Sequence, residues 1–261
     1  MQDRAVRTQQ RVLRAAAELL SSQGRAGIST RAVSAAAGVQ PPTLYRLFGD
    51  KDGLLDALAA YGFQQYLKEK QALEQTDDPV ADLRRSWDLH VEFGLSRPGF
   101  YVLMYGEGRY RGGMPGGLET IAILRRTLGR VAAAGRLRMS VERATQLVHA
   151  LGLGVVLSLI ATPPAERDAS LPVTAREQAL RMITTAGTDG EPGADQDPGT
   201  GADQDPGASR DPGTEVACRA AALREALSRG GSTPMTPSEG ALLADWLDRL
   251  ADAGPAGRPA P

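Results

Sequence analysis

Residues 38–51 read Gly38-Val39-Gln40-Pro41-Pro42-Thr43-Leu44-Tyr45-Arg46-Leu47-Phe48-Gly49-Asp50-Lys51, and this stretch decides the fold. A glycine closes one helix and a proline opens the next, since a missing N–H costs nothing at a first helical position. Gly49 then stops the segment, and Asp50 is placed to cap another helix. A helix this short is unstable alone, so its neighbours must hold it. Leu44 and Phe48 supply the anchoring side, while Thr43, Tyr45 and Arg46 are left for other faces. Such an element can offer a few hydrogen-bonding side chains to a groove about as wide as a helix.

Upstream, residues 5–23 read as an amphipathic helix with Val12, Leu13, Ala16 and Leu20 on its apolar side. Arg4, Arg7, Arg11 and Arg14 recur at steps of three and four on the opposite side and read as a solvated face. Gly24 sits at a C-terminal cap, and Ser29 or Thr30 caps a second helix over 30–37. Downstream of Asp50, Leu54, Leu55 and Leu58 begin an apolar stripe that runs on to Tyr66 and Leu73. Helical segments are expected at 79–96, 98–105, 117–134, 141–161 and 174–186, punctuated by Gly and Pro. No period-2 strand series is present, so the expected fold is all-α.

At 261 residues, 42% of them hydrophobic, the chain has ample material for a core. The net charge of -1 conceals an asymmetry. Residues 1–56 hold eight Arg or Lys against five acids, whereas 187–215 hold eight acids and a single arginine. Phosphate attraction acts locally through a screened field, so one end of the chain is suited to it. With one cysteine, Cys218, no intramolecular disulfide can form, and a reducing cytoplasm fits. The N-terminal residues lack an apolar signal core. The apolar run 147–161 falls short of the length that spans a bilayer, so no membrane partner is expected.

Residues 187–214 differ in kind. The heptapeptide GADQDPG at 193–199 recurs at 201–207, and the segment lacks large apolar residues, which reads as a disordered acidic linker. Two further helices follow, at 215–229 and 237–251. Thr236-Pro237-Ser238-Glu239 has the form of a capping box. Leu242, Leu243, Trp246, Leu247 and Leu250 form an apolar face that is expected to dock on the main body or on a second subunit. The expected domains are 1–56, 57–186, the linker 187–214, and a hairpin at 215–252.

From Thr8 to Leu58 the chain resembles TetR-type transcriptional regulators. The residues that carry the likeness are Gly24, Ser29-Thr30, Ala36-Ala37-Gly38-Val39, Pro42-Thr43-Leu44-Tyr45, Phe48, Lys51 and Leu54-Leu55. The tail run Leu242-Leu243-Ala244-Asp245-Trp246-Leu247 is similar to some actinobacterial members. The resemblance implies an N-terminal helix-turn-helix domain, a larger helical domain for ligand binding and dimerisation, and a homodimer on a palindromic duplex operator.

The implied DNA-binding set is Ser29, Thr30, Gln40, Pro41, Pro42, Thr43, Tyr45, Arg46 and Lys51. The hydroxyls of Thr43 and Tyr45 suit phosphate oxygens, and Lys51 adds charge beside a positive helix end. Arg46 can face guanine or clamp a phosphate, Gln40 can pair with adenine, and the prolines offer apolar contact to a thymine methyl. Two positions depart from the commonest pattern: Pro42 replaces a glycine, and Leu47 stands where a polar or aromatic residue is usual. Both reduce hydrogen bonding, so shape and methyl contacts gain weight.

Beyond residue 80, Trp87, His90, Phe93, Tyr101, Met104, Tyr105 and His149 hold most of the aromatic and imidazole content, alongside Phe100. In the family such residues line a cavity for a small apolar or aromatic effector, and His90 and His149 are the first candidates to hydrogen-bond it. Gly152 and Gly154 permit close helix approach, which makes 141–161 and 174–186 the implied dimer helices. No metal-spaced cluster, phosphate loop or catalytic triad stands out, so no cofactor and no enzymatic activity are expected. The rival reading is a helical interaction module that does not bind DNA.

Overall fold

The computed structural model describes residues 2–106, 115–185, 211–230 and 233–253. The architecture is all-α, with no strand among the described residues beyond one isolated antiparallel bridge between Leu137 and Thr184. The helices are α1 (Gln2–Gln23), α2 (Thr30–Ala37), α3 (Pro41–Phe48), α4 (Lys51–Gln71), α5 (Pro79–Ser96) and α6 (Pro98–Tyr101). They continue as α7 (Pro115–Ala133), α8 (Val141–Ala161), α9 (Leu171–Ile183), α10 (Pro212–Arg229) and α11 (Pro237–Asp252). A π-helical turn, Val102–Gly106, continues α6. The acidic repeat expected at 187–214 lies outside the described residues over 187–210.

The chain divides into two compact units. The first comprises Met1–Thr76, Ala81–Leu124 and His149–Ala175. Its core begins at Val12, the first buried position of α1, and continues through Ala16 and Leu20 to Ile28, Val33 and Leu44. Leu54, Leu55, Leu58 and Phe63 of α4 extend it toward Phe93, Tyr101, Leu103 and Met104. Close helix approach depends on glycines, Gly94 and Gly62 among them. A Cβ at Gly94 would fall 2.3 Å from Val156, and one at Gly62 would fall 2.8 Å from Phe100 and 2.9 Å from the Met104 sulfur. Leu13, expected in the core, is only half-buried, as the register of α1 points Val12 and Ala16 inward instead.

The second unit comprises Asp77–Val80, Arg125–Val148 and Arg176–Pro261. Its core gathers Leu128, Val131, Leu137, Val141, Leu180 and Ile183 with Ala217, Cys218, Ala221, Leu247 and Ala251. Helices α10 and α11 form the expected hairpin and belong to this core. The capping box at Thr236 and Glu239 is present, with Thr236 Oγ1 accepting from the Glu239 N–H at 3.3 Å. Only part of the apolar face of α11 is used. Leu247 and Ala251 are buried, whereas Leu242, Trp246 and Leu250 stay about half exposed. The two stripes lie one residue apart, about 100° around the helix, so α11 cannot bury both against one neighbour.

Candidate nucleic-acid interface

Local chemistry fixes the helix-turn-helix. Ser29 caps α2, its side chain accepting from Ala32 N at 3.1 Å. Gly38 ends α2 in the left-handed region, at φ 61°, and its N–H reaches Ala35 and Ser34 carbonyls. Val39 N also donates to Ser34 O at 3.0 Å, so the chain leaves α2 with its last carbonyls satisfied. Pro41 and Pro42 open α3, and Gly49, at φ 80°, closes it. Asp50 then caps α4, accepting from Gly53 N at 2.7 Å.

Within α3 only Leu44 is fully buried. Phe48, expected beside it in the core, is half-buried. Thr43, Leu47 and Phe48 are half-buried, and the remaining positions of the helix face solvent. Tyr45 is 49% exposed, Arg46 is exposed, and Gln40, Pro41 and Pro42 are exposed at the entry to the helix. Thr43 and Thr30 are half-buried, Ser29 is exposed, and Lys51 is exposed as the first residue of α4. The nine expected residues therefore lie on the α2 cap, the turn into α3, α3 itself and the start of α4. Together they present hydroxyls, an amide, a guanidinium and an ammonium without an intervening carboxylate until Asp50.

Residues 12–58 match the family described as bacterial regulatory proteins, tetR family. Over these residues the chain is similar to the N-terminal region of tetR-family regulators. Among curated proteins no sequence matches it. Solved structures share its fold. A tetR family regulator from Shewanella sp. PV-4 is 19% identical, with a TM-score of 0.54 over 69% of this chain and 99% of that one. A tetR-family bacterial regulatory protein from Rhodococcus RHA1 is 20% identical, with a TM-score of 0.54 over 69% and 98% of the two chains. The fatty acid degradation regulator FadR from Bacillus halodurans is 16% identical, with a TM-score of 0.56 over 66% and 94%. The family match spans the helix-turn-helix, from Val12 of α1 to Leu58 of α4.

The second residue set lies within the first unit, where most of it forms one ring cluster. His90 stands between two tyrosines: Tyr66 Oη lies 2.7 Å from Nδ1, and Tyr101 Oη lies 2.8 Å from Nε2. A neutral imidazole donates through one nitrogen and accepts through the other, so one tyrosine accepts while the other donates. Tyr101 and Tyr105 have ring centroids 4.9 Å apart, Tyr105 and His149 6.3 Å, and Phe93 meets Tyr66 at 4.7 Å. Trp87 adjoins through Gly152, which also touches His90, and its indole N–H donates to Pro172 O at 3.1 Å. Met104 sits instead against Gly62.

Electrostatics favour neutral groups here. Burial pushes His90 from 6.5 down to about 3, aided by the charges of Lys70 and His149 and opposed by the Gly152 backbone. Burial lowers His149 too and raises the Tyr66 phenol well above its usual value. Lys70 falls to about 7, again through burial, with Nζ donating to Ser86 O at 2.5 Å and to Ser86 Oγ at 2.6 Å. Its ammonium lies 5.3 Å from the Tyr66 ring centroid. Sequence reasoning placed Tyr66 on the apolar stripe and passed over Lys70. The signal was their spacing of four, one helical turn apart on α4.

Proposed function

We propose that this regulator binds a palindromic duplex operator as a homodimer, acts as a repressor in the cytoplasm, and is released by a small apolar or aromatic effector. One observation carries the reading: α3 lies between two positive-φ glycines with Leu44 as its fully buried anchor, Tyr45 and Arg46 turned to solvent and Lys51 on the next helix start. Thr43, Tyr45 and Lys51 grip phosphates, with Ser29 and Thr30 at the start of α2, while Gln40, Pro41, Pro42 and Arg46 face base edges. One recognition helix reads too few base pairs for useful specificity, and a two-fold dimer doubles the site.

Helix α8 supports the dimer. Its 21 residues are apolar enough to span a bilayer by length and composition, yet only 33% of the apolar window is buried within the single chain. The remaining apolar surface, with Gly154 open to approach, suits a second copy. The effector would sit among Trp87, His90, Phe93, Tyr101, Met104, Tyr105 and His149, where His90 offers hydrogen bonds inside an aromatic shell. By binding one arrangement of the dimer better, it would shift the population away from the DNA-competent form.

The test is selection of genomic fragments by the purified protein, followed by anisotropy on the recovered duplex over a range of salt. A palindromic site whose affinity falls steeply with salt, and falls further in the Tyr45→Ala/Lys51→Ala double variant, is the expected result. Salt-independent binding, or binding indifferent to those two changes, would sink it.

A further inference from the structure

Helix α1 starts well before the core does. Its residues from 4 to 11 include no buried position, and the first side chain in the core is Val12, at 0% exposure. More than two turns of helix, roughly 12 Å at 1.5 Å per residue, therefore carry no fully buried side chain, with Thr8 and Gln9 half-buried among them. Val6 within them is 47% exposed.

These turns form one wall of a groove whose other wall is the α2–α3 turn and α3. Arg4, Thr8 and Arg11 line the first wall, and Gln40, Thr43 and Arg46 line the second. Arg4, Arg11 and Arg46 all line the groove, and no Asp or Glu is among the described residues that line it. Thr8 is engaged within α1, its hydroxyl donating to Arg4 O at 2.8 Å, so the arginines supply the charge on that wall. Like charges facing one open channel repel unless an anion runs between them. A linear anion with evenly spaced charges fits the shape and the sign, and α3 already faces the duplex.

We infer that the N-terminal turns of α1 are a phosphate clamp, in which Arg4 and Arg11 hold the duplex strand that flanks the major groove entered by α3. The arginine stripe of α1, which reads from spacing alone as a solvated face, is then part of the operator interface. This rests on the DNA-binding reading proposed above. It adds a second wall to the interface and assigns that wall to backbone contact. The clamp adds affinity on any sequence and leaves discrimination to α3.

The experiment compares full-length protein with the Arg4→Gln/Arg11→Gln double variant, using fluorescence anisotropy on the selected operator and on a scrambled duplex. Salt is varied from about 50 to about 200 mM, the range over which phosphate contacts are resolved. Loss of two contacts per protomer, four on the homodimer, makes the slope of log affinity against log salt shallower by about 3.6 on both duplexes. The ratio of specific to non-specific affinity stays the same. The Arg4→Lys/Arg11→Lys variant keeps the charge and restores the slope. Arg219→Gln, at an exposed position of α10, leaves it at the wild-type value. Far-UV helicity and Tm are measured alongside, because both α1 arginines are exposed and their loss leaves the fold intact.

An unchanged slope in the glutamine variant overturns the clamp while the α3 reading stands. A change confined to the operator duplex also overturns it, because it would assign the arginines to base reading. A wild-type protein that binds neither duplex removes the DNA reading and the clamp together.

Discussion

Asp252, in the last turn of α11, grips Ser140 twice. Its Oδ1 accepts from the Ser140 N–H and its Oδ2 from the Ser140 hydroxyl, both at 2.9 Å. Ser140 in turn begins α8, with Oγ accepting from Arg143 N at 3.2 Å. The carboxylate thus fastens the tail hairpin at a helix start, where backbone N–H groups lack intrahelical partners. Ser140 is 3% exposed, so removing its acceptor leaves a buried donor unsatisfied. Asp252→Ala should cost about 1–3 kcal/mol, and Asp252→Asn less, since an amide oxygen still accepts. Chemical denaturation of each variant measures it, with hydrogen exchange over 237–252 reporting whether α11 loosens first.

His90 makes stability sensitive to acid. Its value in the folded chain is lowered from 6.5 to about 3, so the folded state resists protonation. Between those values the unfolded chain binds a proton that the folded chain does not, and stability falls as pH falls through that window. Above the window the group contributes no pH dependence. Tm should therefore drop from about pH 7 to about pH 5. In His90→Gln, which keeps a hydrogen-bonding group and cannot titrate, the drop should be smaller. An equal drop in both proteins would place the acid sensitivity elsewhere, with His149 the next residue to test.

Gly94→Ala tests the packing of α5 on α8. The added methyl would lie 2.3 Å from Val156 Cγ1 and 2.9 Å from the Tyr101 ring. Overpacking of this kind costs about 1–3 kcal/mol, and the displaced ring is one of the two that hydrogen-bond His90. The variant should lose stability and also change tyrosine fluorescence. If Val156→Ala on the same background recovers most of the loss, the clash is confirmed as its source.

Legibility differed by element for physical reasons. The bounds of α2, α3 and α4 could be read because Ser29, Gly38, Pro41, Gly49 and Asp50 act through local backbone geometry, which a linear sequence encodes. The nine residues expected to face nucleic acid were named from those bounds together with the family resemblance. Positions that depend on a partner element were not legible. Leu242, Leu247 and Trp246 are equally apolar in sequence, and only the angle at which α11 meets its neighbours selects Leu247 and Ala251 for burial. The tie between Tyr66 and His90 joins residues 24 apart, and nothing in the spacing of α5 points to α4. The arginines of α1 had a clear periodicity, but which side of the helix meets α3 is set by Val12 and Leu20 in the folded domain. The π-helical turn at Val102–Gly106 gave no sequence signal beyond a helical pattern.

Two glycines beside α3 separate the cost of conformation from the cost of space. At Gly38 a Cβ would meet nothing within 4 Å, but φ is 61°, so Gly38→Ala pays only for the left-handed backbone, roughly 1–2 kcal/mol. At Gly53 the backbone is ordinary helix, yet a Cβ would fall 2.0 Å from the Phe48 carbonyl oxygen. A backbone atom cannot rotate away as a side chain can, so Gly53→Ala must shift the end of α3 relative to α4. It would also disturb the Asp50 cap on the Gly53 N–H. Gly53→Ala should therefore destabilise the domain more than Gly38→Ala, and it alone should weaken operator binding beyond what the stability loss explains. The comparison is made at a temperature where both variants are fully folded by circular dichroism. Equal operator affinities there would mean that α3 keeps its placement without the close approach at Gly53.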